Sequence, residues 1–262
     1  MWSLQPICLI TGASTGIGAA LARVFARNGH ALVLTARREA QLDVVADAIS
    51  KDGHARPQVI TADLATSEGV EELAETLRAR GLEPAFVVNN AGFGLFGEAV
   101  KLGSASQLAM VDLNVRTLTD LSLRFIASVR RHRGGILNVA SLAGFVPGPG
   151  MAVYHATKAY VATFTQALHQ ELSPDGVRVC ALCPGPVATD FFERAGVSRA
   201  YFPRLLFRSA SSVAGKGYEA LMNGECVVVP GTINRIVASL PNLLPRSLLL
   251  RFMEQRWQRA ER

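Results

Sequence analysis

Lysine is scarce in this chain, with four against twenty-three arginines in 262 residues, and cysteine is as scarce: only Cys8, Cys180, Cys183 and Cys226. So few cysteines cannot staple a disulfide framework, which makes a reducing compartment such as the cytoplasm the default. Cys180 and Cys183 have the spacing of a redox or zinc pair, but they lie in Val177–Cys183, an apolar run before Pro184 that reads as a strand. Residues three apart on a strand point to opposite faces, and no second pair completes a metal set, so no metal site is expected. No uninterrupted apolar run reaches the ~18 residues of a membrane span. An apolar strand pattern begins at Ile7, leaving no room for a signal peptide. Internal repeats and low-complexity linkers are missing as well.

What is present is material for one well-filled α/β domain over residues 1–262, with 49% apolar and 7% aromatic residues. Charge is unevenly placed. Residues 200–262 hold nine basic and four acidic side chains, net +5, whereas 1–199 hold eighteen and seventeen, net +1. A nucleic-acid protein usually spreads its basic footprint over a binding face. A basic tail instead fits a membrane surface, and no nucleic-acid partner is expected.

Short apolar runs alternate with longer segments of helical period, the pattern of βαβ units and a parallel sheet. The strands are expected at Ile7–Thr11, Ala31–Thr35, Gln58–Ala62, Ala85–Asn89, Gly135–Ala140, Val177–Cys183 and Glu225–Val229. Helices are expected at Gly16–Asn28, Glu39–Ser50, Glu68–Arg80, Ser106–Arg131 and Ala152–Leu172, with Gly29, Gly53, Gly81 and Gly134 closing the first four. Residues 1–185 read as a cofactor-binding and catalytic core, 186–225 as a substrate-covering segment, and 232–262 as a basic apolar tail.

The first expected strand runs through Gly12-Ala13-Ser14-Thr15-Gly16-Ile17-Gly18 into a helix, the context in which glycine loops bind a dinucleotide pyrophosphate. Gly12 permits the tight turn, Gly16 lets backbone approach phosphate, and Gly18 lets the helix pack on the sheet. The helix N-terminus supplies aligned N–H donors. At the end of the second strand an NAD-binding protein usually places an acidic residue on the adenosine ribose. Here Arg37-Arg38 occupy that place, and two guanidiniums suit a 2′-phosphate, so NADP(H) is expected over NAD(H).

Tyr154 and Lys158 are four residues apart on the last expected helix, with Ser141 thirteen residues before the tyrosine. That spacing sets ammonium and phenol on one face. A free tyrosine with a pKa of about 10 is a poor acid or base at neutral pH, and a neighbouring cation lowers that value. His155 reads as a helix-face residue, and Asp43, Asp47, Glu71 and Glu75 as solvated helix faces.

Together, Thr11-Gly12-x-x-x-Gly16-x-Gly18, Asn89-Asn90-Ala91-Gly92, Ser141 with Tyr154-x-x-x-Lys158, and Pro184-Gly185 resemble the short-chain dehydrogenase/reductase family over essentially the whole chain. The stretches 90–94 and 181–186 resemble its NADP-dependent branch of bacterial ketoacyl reductases and hydroxysteroid dehydrogenases. The resemblance implies a single-domain Rossmann fold: a seven-stranded, mostly parallel, doubly wound sheet with helices on both faces. It implies Ser141, Tyr154, Lys158 and Asn114 as the catalytic set, with Tyr154 the proton donor and Ser141 on the substrate oxygen. Lys158 would hold the nicotinamide ribose and depress the tyrosine pKa, and Asn114 would anchor a water. It places Asp63 and Leu64 at adenine, Asn89, Ala91 and Gly92 along the cofactor, and Pro184, Gly185, Val187 and Thr189 near the carboxamide. Dimers or tetramers through the helices carrying Asn114 and Tyr154 are a further implication.

The segments expected to frame the substrate are apolar: Phe93–Phe96, Phe145–Pro147, Phe191-Phe192 and Tyr201-Phe202. No charged anchor stands out, which points to an acyl-chain, steroid-like or aliphatic ketone. Near the C-terminus, Leu249, Phe252, Met253 and Trp257 share one face of a basic amphipathic helix, with Arg251, Arg259 and Arg262 elsewhere. That face docks on this domain, on a neighbouring subunit or on a membrane surface. Two other functions stay open: a non-catalytic NADP(H)-binding sensor, and a membrane-associated partner protein.

Overall fold

The computed structural model describes residues 4–198, 202–242 and 245–261, with the side chains of 242, 246, 252 and 256–261 left aside. Seven strands form one sheet: β1 (Gln5–Thr11), β2 (Leu32–Ala36), β3 (Gln58–Thr61), β4 (Leu82–Asn89), β5 (Gly135–Val139), β6 (Arg178–Leu182) and β7 (Val227–Val228). Their order is β3-β2-β1-β4-β5-β6-β7, and every adjacent pair is parallel. The order reverses between β1 and β4, which opens a crevice at the carboxyl ends of those two strands.

The helices are α1 (Gly16–Arg27), α2 (Glu39–Lys51), α3 (Ser67–Ala79), α4 (Ser104–Val111), α5 (Leu118–Arg124), α6 (Ile126–Arg131), α7 (Ala152–Leu172), α8 (Phe191–Ala195), α9 (Ala210–Met222), α10 (Thr232–Ser239) and α11 (Arg246–Glu261). Alternation along β1 shows how the layers are held. Cys8 and Ile10 pack into the cluster shared with α1, α2 and α9, whereas Ile7 and Leu9 pack into the cluster with α3 and α5. Both faces are covered, so the strand is apolar throughout rather than alternating. Cys180 and Cys183 likewise fall on opposite faces, the first with α9 and the second with α7.

Three expectations change. The single helix 106–131 is interrupted by a π turn, Asp112–Thr117, and breaks again at Phe125. The segment 186–225 divides: α8 lines the site, whereas α9 buries Val213, Ala214 and Leu221 in the sheet-flanking core beside α1. Finally, after α6 the left-handed residue is Arg133 (φ 47°), not Gly134. Gly134 is needed for space, because a Cβ there would lie on the Ala85 carbonyl. Among the described residues no helix is long and apolar enough to cross a membrane.

Candidate active site

The crevice widens into one cavity of about 510 Å³ that runs from the glycine loop and Arg37 past Ser141, Tyr154 and Lys158 to Phe191 and Leu249. At its cofactor end the glycines are irreplaceable for steric reasons. Gly12 has φ +63°, and a Cβ on it would sit 2.8 Å from Ala91 Cα. A Cβ on Gly16 would face Thr189 Cγ2 at 3.2 Å, closing the gap between the loop and the strand-β6 side. Gly18 is outside the cavity, and its missing Cβ leaves room for the Asn90 amide, which donates to the Thr11 and Gly12 carbonyls at 2.9 and 3.1 Å. Ser14, Thr15, Ile17, Arg38, Asp63, Leu64, Pro184, Gly185 and Val187 all line this end. Arg37 and Arg38 are exposed, and neither has a carboxylate partner among the described residues. This cradle of bare backbone beside two unpaired guanidiniums fits a dinucleotide with a 2′-phosphate.

One predicted contact shifts by a residue. Asn89 is turned into the sheet, where its Nδ2 donates to Ser122 Oγ and Asn138 Oδ1, both at 2.9 Å, across the β4–β5 register. Asn90, Ala91 and Gly92 line the cavity instead. Thr11, which opens the glycine motif but was given no role from sequence, fixes this turn: its hydroxyl accepts from the Asn90 and Ala91 N–H groups at 3.0 Å each.

Tyr154 and Lys158 lie in the first two turns of α7 and face inward, both buried. The Lys158 ammonium is 6.0 Å from the Tyr154 ring centroid and donates to the Val139 carbonyl at 2.7 Å. Ser141, at the end of β5, accepts from the Ala143 N–H at 3.1 Å, which leaves its own hydroxyl proton for the phenol. The electrostatics depart from expectation. Burial pushes the Tyr154 phenol up to about 12, with the Ser141 hydrogen bond pulling it partly back. Burial also lowers Lys158 to about 8, opposed by its neighbour Cys183. Desolvation is the largest cause of both shifts and moves each group toward its neutral form in the ligand-free site.

Asn114 sits in the π turn and is fully buried. Its side chain is spent on protein: Oδ1 accepts from the Phe93 N–H at 3.1 Å, while Nδ2 donates to the Phe93 carbonyl and to Thr157 Oγ1 at 2.9 and 3.1 Å. It thus positions the Gly92–Phe93 loop after β4 beside Lys158. The same π turn reaches the other end of the site, with Thr117 donating to the Leu64 carbonyl at 2.5 Å and Arg116 to the Ala65 carbonyl at 3.0 Å. No periodicity announces such a turn, although π insertions concentrate at functional sites.

The far end of the cavity is rich in apolar side chains. Phe93, Val146, Phe191, Phe192 and Phe202 line it beside Asp190 and Arg194, whereas Phe96 and Phe145 pack into the core, and Tyr201 lies outside the described residues. Gly94 admits the Tyr154 ring, since a Cβ would stand 3.2 Å from Tyr154 Cδ2 and 2.9 Å from Phe191 Cζ. His155 is no plain helix-face residue. Its Nδ1 pairs with the Val146 carbonyl at 2.7 Å, and the ring is folded under Gly148 against the cavity. The expected amphipathic face of α11 docks inward, with Leu249 buried and Met253 in the cavity wall. The Phe252, Trp257, Arg259 and Arg262 side chains lie outside the described residues.

The sequence profile described as short chain dehydrogenase matches residues 6–199. The NADP-dependent 3-hydroxy acid dehydrogenase YdfG of Salmonella typhi is 33% identical over 217 residues, covering 81% of this chain and 81% of that protein. A short-chain dehydrogenase from Sphingobium yanoikuyae, solved in complex with NADPH, has a TM-score of 0.79 at 31% identity, covering 91% of this chain and 94% of that one. The bulky-bulky ketone specific alcohol dehydrogenase from Comamonas testosteroni has a TM-score of 0.74 at 30% identity, covering 94% and 97%. The matched span runs from β1 through α8 and contains the glycine loop, Ser141, Tyr154 and Lys158, and this chain belongs to the short chain dehydrogenase family.

Proposed function

We propose that the protein is an NADP(H)-dependent oxidoreductase interconverting a carbonyl and a secondary alcohol on an apolar substrate. The observation that carries this reading is a single cavity joining the glycine loop and Arg37 to Ser141, the buried Tyr154–Lys158 pair and an aromatic far end. The NADP dependence of the Salmonella relative and the NADPH complex of the Sphingobium enzyme support the cofactor. The ketone specificity of the Comamonas enzyme supports a bulky apolar substrate.

In this reading Arg37 and Arg38 hold the 2′-phosphate, Asp63 and Leu64 flank the adenine, and Val187 and Thr189 hold the carboxamide. Lys158 holds the nicotinamide ribose. Bound NADPH supplies the hydride. Tyr154 gives its phenolic proton to the substrate carbonyl oxygen, and the Ser141 hydroxyl donates to the same oxygen as negative charge develops there. A phenol kept protonated by burial is already in the form that reduction needs, and Lys158 stabilises the phenolate left behind. Asn114 holds the Phe93 backbone and Thr157 in place beside it. Leu108, Val111, Leu123 and Tyr160, exposed on the helices around Asn114 and Tyr154, support a homodimer or tetramer, which light scattering checks.

Tyr154→Phe tests the reading. It should lower kcat by ~10²–10⁴-fold on a ketone panel while leaving the Kd for NADPH nearly unchanged. Retained turnover would exclude Tyr154 as proton donor, and a preference for small polar ketones or sugars would overturn the apolar substrate.

A further inference from the structure

α10 is held to the domain by one side only. Asn234 and Ala238 are buried, and Asn234 Nδ2 donates to the Leu206 and Pro230 carbonyls at 3.2 and 2.9 Å. A Cβ on Gly185 would strike the Asn234 amide, so the helix lies directly on the loop that follows β6. At ~100° per residue, Ile233 and Ile236 fall on another edge of the helix, and Leu240 follows in the turn Leu240–Asn242. They are 38%, 57% and 42% exposed. Leu240 also lines the cavity, so this apolar edge is part of the cavity mouth. The turn Arg204–Leu206, packed beside α10, adds Leu205 at 57% exposure. α11 adds Leu248 and Leu250, exposed on either side of the cavity-lining Leu249. Nearly half of the large apolar side chains exposed among the described residues therefore gather on the segments framing one opening.

The charged side chains set among them are arginines, with Glu254 one turn beyond Leu250 on α11. Arg204, Arg235 and Arg251 are exposed, and no acidic residue occurs in 226–253. None of these arginines has a carboxylate partner among the described residues. A two-fold dimer through this face would set arginines against arginines, since an isologous contact opposes a patch to itself. An anionic lipid surface complements it in both respects, taking the leucines and isoleucines into the acyl boundary and the guanidiniums at the phosphates.

We propose that the α10–α11 rim docks on an anionic bilayer, so that the cavity mouth opens into lipid and an apolar ketone enters without crossing water. The choice of substrate rests on the apolar-ketone reading above; the docking does not. This is not the face expected from the sequence, because Leu249 and Met253 turn inward and α10 supplies the outer surface.

The test uses the full chain with NADPH and two sets of vesicles, pure phosphatidylcholine and a phosphatidylcholine–phosphatidylglycerol mixture. Wild type should co-sediment with the anionic vesicles and stay in solution with the neutral ones, and about 1 M salt should weaken the binding. Ile233→Glu/Ile236→Glu should lower partitioning at least about tenfold while turning over a water-soluble ketone as wild type does, which also reports its fold. With a long-chain ketone dissolved in the vesicles, only wild type should keep its rate. Should the double variant misfold, Ile233→Ser/Ile236→Ser takes its place. Failure of wild type to bind anionic vesicles, or equal binding by a folded variant, overturns the docking. So does light scattering that finds a dimer dissolved by the variant, because the face is then a subunit interface. Vesicle binding without reduction of any ketone leaves the docking standing and defeats the function proposed for the site.

Discussion

Lys158→Met should alter the pH dependence of folding stability in the ligand-free protein, and the structure sets both sign and size. The ammonium is buried beneath Gly92 and bonded to the Val139 carbonyl, and burial lowers its pKa from the usual 10.5 to about 8. A lysine whose folded pKa is lowered binds its proton less tightly in the native state than in the unfolded chain. Its penalty is therefore full below pH ~8 and is relieved as pH rises toward ~10.5. At ~1.4 kcal/mol per pKa unit, wild type should gain about 2–3 kcal/mol relative to Lys158→Met between pH 7 and 10. Tyr154 is present in both proteins and cancels. Its raised pKa acts in the opposite sense, because stability is lost as pH rises from about 10 toward 12. Measurement should stop at pH 10 for that reason. Urea unfolding followed by circular dichroism at pH 7, 8.5 and 10, with matched m-values, reads the difference. A pH-independent difference would refute the reasoning and mean that the ammonium is solvated in the free protein. The expected trend is that of a site which sacrifices stability to hold a charge where chemistry needs it.

Arg37→Asp should raise the KM for NADPH by about 10–100-fold and leave that for NADH little changed, because only the 2′-phosphate loses its partner. Equal effects on the two cofactors would remove Arg37 from that role. Gly18→Ala adds a Cβ 2.5 Å from Asn90 Nδ2 and closer still to the Gly12 carbonyl, so it should cost about 1–3 kcal/mol and weaken NADPH binding together. A wild-type melting temperature would contradict the rigid packing of this turn. Asn138→Ala strips the acceptor from Asn89 and the donor from Thr165 in a buried network, and should cost about 1–3 kcal/mol in chemical denaturation without touching NADPH selectivity.

Local features of the chain were legible because they depend on a few successive residues. Ala152–Leu172 runs as a helix over the bounds its periodicity and following Pro174 set, and Gly12, Gly16 and Gly18 meet the steric demands their spacing announces. Arg37 and Arg38 follow β2 directly and so had to stand at its carboxyl end. Errors began where a second element decides the outcome. Whether Asn89 or Asn90 meets the cavity depends on the pairing of β4 with β5, because a one-residue step in a strand reverses the face. The π turn at Asp112–Thr117 owes its place to Thr117, Arg116 and Asn114 bonding to Leu64, Ala65 and Phe93, contacts twenty-one to fifty-three residues distant in sequence.

The spacing of Tyr154 and Lys158 put phenol and ammonium on one helical face from sequence alone, and the glycine loop with Arg37 put a dinucleotide site in the same chain. The sign of the tyrosine's shift was beyond it: the expected lowering by Lys158 gives way to a rise, because Gly94 and Phe191 pack against the ring and desolvation outweighs the Ser141 hydrogen bond. The tail followed the same rule. Periodicity grouped Leu249 with Met253 on one side of α11, but only the cavity beneath determined that this side faces inward and leaves Ile233 and Ile236 of α10, and Leu240 after it, exposed. A stripe of apolar residues says that a helix has a face to bury; which surface buries it is settled by the elements packed around it.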